Sequence, residues 1–586
     1  GANTTGQYNV AVGHSALALN TTAEGNTAVG RDALNQNTTG VSNVAVGRDA
    51  LRLSTASSNT ALGAFTLYDN TTGTNLVAVG RSALENNTTA NNNTAVGFNA
   101  LKANTTGSAN TAMGKDALEL NTTGNNNTAI GDQALASNTT ASNNIAIGRI
   151  AAEQITTGNA NTCIGNFVAD VATTASKNVA IGHVALSGLT TGSENTTVGR
   201  QSLVDVTTGN SNVGLGDSAG INITTGSSNI AIGHDSLYTE DTASDLVAVG
   251  DSAMYKNNSG IENTAVGRSA SYHNVTGNSN TAVGYVALHN NTGGNNTAVG
   301  NRAMEDNTTG TANTAVGSKV LDANTTGSNN TAIGRSAMGL NTTGGNNTAM
   351  GAFALDANTT ASDNTAFGYN ALGANTTGQL NVACGRGALQ TSTTASSNTA
   401  VGNNCLASVT TGDSNTCIGR DAGLHITTGT QNIAIGHLAF DGATTANYNT
   451  VIGFDAGAVI SNGELNTIYG YGSGTSITTG DNNHCFGAAS QPSSGTVNNE
   501  IVLGNSNNTI LRCNTQTISA LSDARDKTNI IDLPEGLEFI TKLKPVKFEW
   551  ATRDGNVKDG LYEHGFIAQD LQAVQKENDA DYLNMV

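Results

Sequence analysis

A mainly β fold is the class this sequence predicts: a long parallel β-solenoid of 17-residue coils, followed by a small α+β C-terminal domain. Three observations predict it. A unit of fixed length recurs from near the first residue to about Ile477. Large side chains are scarce, since aromatics make up 4% of 586 residues and Trp occurs once, against 70 Gly. The texture then changes, because Pro492, Pro534, Pro545 and Trp550 all lie beyond the last full repeat. So few bulky residues cannot fill several ordinary cores. Disorder, the other reading of a polar Gly-rich chain, would not place an apolar residue at the same point of every period.

Aligned on its Gly, the unit reads Thr-Thr-Gly/Ala-x-x-Asn-Thr-Ala-Val/Ile-Gly-x-x-Ala-Leu-x-x-Asn, with clear copies at Thr105 to Asn121, Thr122 to Asn138 and Thr308 to Asn324. Twenty-nine copies follow from Thr4, and all keep the Gly, from Gly13 through Gly470 to Gly487 in a degenerate last copy. The period is too short for a helical hairpin, and no i, i+3, i+4 apolar spacing runs through it. It suits one solenoid coil. Asn-Thr-Ala-Val is a short strand with alternating faces, Gly turns the chain tightly, Ala-Leu begins a second short wall, and Thr-Thr-Gly-x-x makes the return turn.

Two copies are one residue short, at Ser54-Thr55-Ala56 and at Asn290-Asn291-Thr292. Both deletions fall in the return turn, where they are absorbed; in a strand they would send every side chain to the wrong face. The residue before the strand is Asn except at Leu76 and Leu246. Stacked asparagines are expected to hydrogen-bond from coil to coil as a ladder, which makes the many Asn-x-Thr triplets a by-product of the repeat. Cys163, Cys417, Cys485 and Cys405 stand where other copies place Ala, and Cys384 where they place Val or Ile. The repeat cysteines therefore read as small buried side chains, with no metal site and no disulfide framework. Each coil offers about three small apolar groups, whereas ordering its backbone costs about 1–2 kcal/mol per residue. Stacking, and association of several chains, must supply the stability. At about 4.8 Å per coil the shaft would measure on the order of 140 Å.

The net charge of −19 argues against nucleic-acid binding and against an anionic membrane surface. No apolar run is long enough to insert in a bilayer, and no motif calls for a cofactor. The chain opens within a repeat, as expected of a piece of a longer protein.

Residues 1–487 form the expected shaft and 488–518 a β neck, in which Asn499 to Gly504 and Asn508 to Arg512 read as strands. The last domain spans 519–586. There Pro534 to Leu543 suits a short helix with Pro at its start, Pro545 to Trp550 alternates like a strand, and His564 to Gln569 reads as a strand running into a helix at Asp570 to Val574.

The repeat resembles the head β-rolls of trimeric autotransporter adhesins, as in Asn92-Asn93-Thr94-Ala95-Val96-Gly97-Phe98-Asn99-Ala100. That resemblance implies a homotrimer of parallel rolls, although this coil is a few residues longer. The C-terminal motifs Ser522-Asp523-x-Arg525-x-Lys527-x-Asn529-Ile530, Ile540-x-x-Leu543-x-Pro545-Val-x-Phe-x-Trp550 and His564-Gly-Phe-Ile-Ala-Gln569-Asp come in one order. Together they resemble the intramolecular chaperone of phage tail fibres and endosialidase tailspikes. The resemblance implies a module that trimerises, assists folding of the fibre ahead of it, and in many members cuts itself off at a Ser-Asp junction. On this chain the junction is Ser522-Asp523, with Ser522 as nucleophile and Lys527 as general base. A serine hydroxyl needs a neighbouring base, and a partly desolvated lysine can serve. Asp523 and Arg525 suit an ion pair that shapes the turn, and His564 a structural role. The family's module continues into a long helical region, whereas this sequence ends at Val586.

These resemblances imply a virion tail-fibre shaft, extracellular, with other tail proteins and a host glycan or protein receptor as partners. The alternative is a trimeric adhesin at a cell surface. Ice binding ranks lower, because the paired Thr lie adjacent in a turn and not spaced on one flat strand face. The repeats hold no recurring carboxylate pair, so the only enzymatic activity expected is serine-lysine self-cleavage.

Overall fold

The computed structural model describes residues 3–239, 242–512, 536–549 and 562–577. The chain divides into two compact units, Gly1–Asn507 and Asn508–Val586.

The first unit is a parallel β-solenoid. Thirty strands of three residues each, β1 (Val10–Val12) through β30 (Ile501–Leu503), form one sheet in which each strand pairs in parallel with the next. Thr111, Ala112 and Met113 lie opposite Thr128, Ala129 and Ile130, a register of 17 residues. Only two steps are shorter. Val44 pairs with Thr60 and Thr281 with Thr297, at the two copies whose return turns lack a residue. The strands themselves stay in register, because a turn can lose a residue without reversing the faces of a pleat. The strand Ile501–Leu503, in the stretch between repeats and C-terminal motifs, adds to the same sheet, while 508–512 carry no strand.

The core is thin and repeats with the coil. In one copy Ala129, at the middle of its strand, and Ala134 and Leu135, after the Gly, are all fully buried. These are the three apolar groups per coil expected from the sequence. The wall that holds Leu135 is not a strand. It is a series of turns in which Gln133 and Leu135 take φ of 60° and 51°, and Asn126 in the return turn takes 58°. Such left-handed conformations cost an L-residue about 1–2 kcal/mol each. The alternation sends successive N–H groups in opposite directions: Gln133 donates to Lys115 O in the coil before at 2.9 Å, and Leu135 to Ala151 O in the coil after at 3.0 Å. Hydrogen bonding along the stack, with burial of the Leu, offsets the strain.

The Asn ladder is present and works through both ends of the amide. Asn110 Oδ1 accepts the backbone N–H of Asn127 at 2.9 Å, while its Nδ2 donates to Gly124 O at 2.8 Å. Leu76 and Leu246 still donate their N–H to Asn59 and Asn229 but offer no acceptor to the coil that follows. A second ladder runs through the last residue of the unit, where Asn121 Nδ2 donates to Asn104 Oδ1 at 2.8 Å and Asn138 Nδ2 to Asn121 Oδ1 at 2.6 Å. It gives way to apolar columns at Ile155, Ala172, Leu189, Val206 and Ile223, and again from Val409 to Ile477. Return turns are tied by threonine, as when Thr122 Oγ1 and N both donate to Thr139 O, at 3.0 and 2.9 Å.

Cys163, Cys405, Cys417 and Cys485 are buried and unbridged, as expected, but Cys384 is exposed. It is the third residue of its strand, and that position faces outward. Burial pushes the thiols of Cys163 and Cys485 up, to about 12 and about 11, and raises that of Cys417 as well. The thiolate is the reactive form. Iodoacetamide on the folded chain is expected to label Cys384 and to spare Cys163, Cys405, Cys417 and Cys485 until denaturant is added. Peptide mass mapping reads the difference, and native labelling of Cys417 would contradict the core described here.

In the second unit α1 (Gly536–Lys542), β31 (Val546–Glu549), β32 (Tyr562–Gly565) and α2 (Ala568–Glu577) follow the predicted order of helix, strand, strand and helix, but β32 ends four residues before the predicted Gln569, and Ala568 and Gln569 belong to α2. The strands pair antiparallel, with Val546 opposite Gly565 and Lys547 opposite His564.

Candidate functional site

Ser522, Asp523 and Lys527 lie outside the described residues, as do Arg525, Asn529 and Trp550. What is described is the framework that follows them. Phe539 of α1 is buried, while Ile540 is exposed. Asp570 in the first turn of α2 and Lys576 in its last complement the helix dipole. A cavity of about 190 Å³ lies beside the end of α1, lined by Leu543, Lys544, Phe566, Ile567, Leu571 and Val574 among others. Phe566 and Ile567, in the motif His564 to Gln569, are exposed rather than folded into a core. His564 is exposed and sits opposite Lys547 on the paired strands. Among the described residues no group of three or more His, Cys, Asp or Glu could hold a metal ion, and no helix is long and apolar enough to cross a membrane.

The solenoid presents a second candidate surface, which the sequence analysis did not single out. In the strands between the two ends of the sheet the middle residue points into the core, so the first and third point out. The third is Val, Ile, Leu, Met, Phe, Tyr or Cys in every strand from β1 to β30. Many of these side chains are substantially exposed, for example Met113 at 43%, Val198 at 43% and Phe486 at 38%. Because the register is in step, they form one apolar rank along the flat face of the sheet. The first strand position, most often Thr, forms a parallel rank beside it, as in Thr94, Thr111 and Thr128. A rank of threonines on a strand face is therefore present as well, while the paired Thr lie in the return turns as expected. The signal was in the repeat all along: the Thr and the Val or Ile on either side of a buried Ala cannot share its face.

A family model described as the chaperone of endosialidase matches residues 522–579. No curated protein and no solved structure matches the chain.

Proposed function

We propose that this chain is the shaft of a homotrimeric viral tail fibre that contacts a host-surface glycan or protein, and that its C-terminal module assists folding and cleaves the Ser522–Asp523 bond. The observation that carries the reading is the order of its two parts: a solenoid of thirty in-register strands is followed, at 522–579, by the segment that the endosialidase-chaperone family matches. A folding module has a clear use here. Every coil resembles its neighbours, so a chain without an external guide can pair in wrong registers, and slow non-local pairing exposes it to aggregation.

The apolar rank on the outer sheet face supports association of copies. An apolar stripe that continues along the whole sheet exceeds the few hundred Å² that a monomer ordinarily exposes. Three parallel shafts with these ranks turned to a common axis would cover it. Sedimentation of the purified full chain is expected to give the mass of three copies, and electron microscopy a three-fold rod on the order of 140 Å. A monomeric particle would sink the proposal. The form Asn-Thr-Ala-Val-Gly of the repeat also favours a trimeric surface adhesin as the second reading; a gene whose product ends in a membrane-anchoring barrel would decide for it.

Self-cleavage follows from the chemistry of the pair. The Ser522 hydroxyl gives its proton to the Lys527 amine as its oxygen adds to the carbonyl carbon of a Ser522–Asp523 bond; the lysine returns the proton to Asp523 N as the C–N bond breaks, and water then hydrolyses the ester, leaving a carboxylate on Ser522 and an amine on Asp523. Expression of the chain with whatever follows it is expected to release a fragment that ends at Ser522, whereas Ser522→Ala stays whole on a denaturing gel. Intact wild type under folding conditions would leave a folding module without peptidase activity.

A further inference from the structure

Four successive coils depart from the repeat at one place. The residue after the buried Leu position, in most copies polar or Ala, is aromatic at Tyr238, Tyr255, Tyr272 and His289, and Thr239, Lys256, His273 and Asn290 follow. The register stacks these rings. Centroids are 4.7 Å apart for Tyr238 and Tyr255, 4.9 Å for Tyr255 and Tyr272, and 5.1 Å for Tyr272 and His289, with planes within 14° of parallel. His273 stands edge-on to Tyr272 at 4.7 Å.

Beside this column runs a groove of about 460 Å³, lined by Asn222, Tyr238, Tyr255, Lys256, Asn258 and Val275, with Thr239. Its backbone is held firmly. Thr239 N and Oγ1 donate to Tyr255 O at 3.0 and 2.6 Å, Lys256 N to Tyr272 O at 2.8 Å, and Asn222 Nδ2 to Tyr238 O. Lys256, Asn258 and Val275 are exposed, and Lys256 has no ion-pair partner among the described residues. Burial, and then the charges of Lys256 and His289, hold His273 below the usual imidazole range.

We infer that this groove binds an oligosaccharide laid along the stack of coils. A sugar ring has an apolar C–H face and a rim of hydroxyls. The groove answers with Val275 and the apolar edges of the stacked Tyr238 and Tyr255 rings for the face, and with amide, phenol and ammonium groups for the rim. The coil rise of about 4.8 Å is close to the length of one pyranose unit, so equivalent side chains one coil apart meet successive sugars. A protein partner is the poorer fit, since a stable interface needs roughly 1,000 Å² or more. Nucleic acid is disfavoured by the net charge of −19. The site also lies beyond the strand in each coil, apart from the apolar rank assigned to trimer contact. This inference rests on reading the shaft as a surface-contacting fibre, and it names where and what that contact is.

The test uses the full chain on a printed panel of linear oligosaccharides, neutral and uronic-acid-containing. Wild type is expected to be retained on at least one sugar, Tyr255→Ala and Lys256→Ala to weaken that retention roughly tenfold or more, and Tyr285→Ala, an exposed ring outside the groove, to leave it unchanged. Should Tyr255→Ala fail to fold by circular dichroism, Lys256→Ala carries the test, because its side chain is exposed. No retained sugar, or equal retention of wild type and Lys256→Ala, overturns the inference. Either result leaves the mass and symmetry of the particle untouched, so failure here is distinct from failure of the fibre reading.

Discussion

Gly131→Ala is expected to break the solenoid between two coils, not merely to soften it. Gly131 has φ of +142°, and a Cβ there would stand 2.2 Å from Gly148 O and 2.5 Å from Gly148 C. Both are backbone atoms of the next coil, so no rotamer change relieves the clash. The coils must separate, and separation stretches Gly148 N to Ile130 O, now 2.7 Å, and Thr128 N to Asn144 O, now 2.8 Å. A destabilisation above about 4 kcal/mol is expected, at the far end of what single substitutions do. Stability in a stack depends on nearest neighbours, so the damage divides it into two cooperative blocks. Two thermal transitions, with fast amide exchange confined to the coils around residue 131, would report this. Gly124→Ala is the control. A Cβ at Gly124 would also meet a carbonyl, Ala141 O at 2.2 Å, but its φ is not left-handed, and Ala90, Ala141 and Ala175 occupy the same place in other coils. A small backbone adjustment suffices there. Equal damage from both substitutions would refute the account.

Asn110→Ala carries the second largest expected effect. Its side chain is fully buried, and its removal leaves the N–H of Asn127 without its acceptor and deprives Gly124 O of one of two donors, Asn121 Nδ2 at 3.1 Å being the other. An unsatisfied buried polar group costs about 1–3 kcal/mol, and the vacated volume adds to it, so a loss of about 2–4 kcal/mol is expected in denaturant unfolding. Asn110→Leu should cost less. Leu76 and Leu246 show that the core accepts a leucine at this point, fully buried and still bonded through its own N–H to the coil before. If the leucine variant proved the less stable, filling the vacated volume would not be what the alanine variant lacks, and the core around Asn110 would not accept leucine as it does at Leu76 and Leu246.

The strand, the tight Gly and the return turn were legible because the repeat states them twenty-nine times. The left-handed wall was not. Leucine has no local preference for φ near +50°, so nothing in Ala-Leu announces that Leu135 adopts 51°; the bond it makes to Ala151 in the next coil holds it there. The second Asn ladder was visible as a consensus letter, but its function depends on what lies across the core. For the proposed C-terminal site the sequence is the whole source: Ser522 and Lys527 are named only by the motif and its resemblance, and the described framework begins at Gly536.

By itself, then, the sequence determined the period, the register and the likeness of the terminal motifs to a known folding module, because each is carried by a local pattern repeated or spaced along the chain. The tertiary structure alone decided where the N–H groups of the turns go, that an exposed apolar rank runs beside a rank of threonines on the outer sheet face, and that Tyr238, Tyr255 and Tyr272 make one column beside a groove. Residues 17 positions apart become neighbours only when a coil closes on the one before it, and a pattern read along the chain cannot weigh contacts made across the stack.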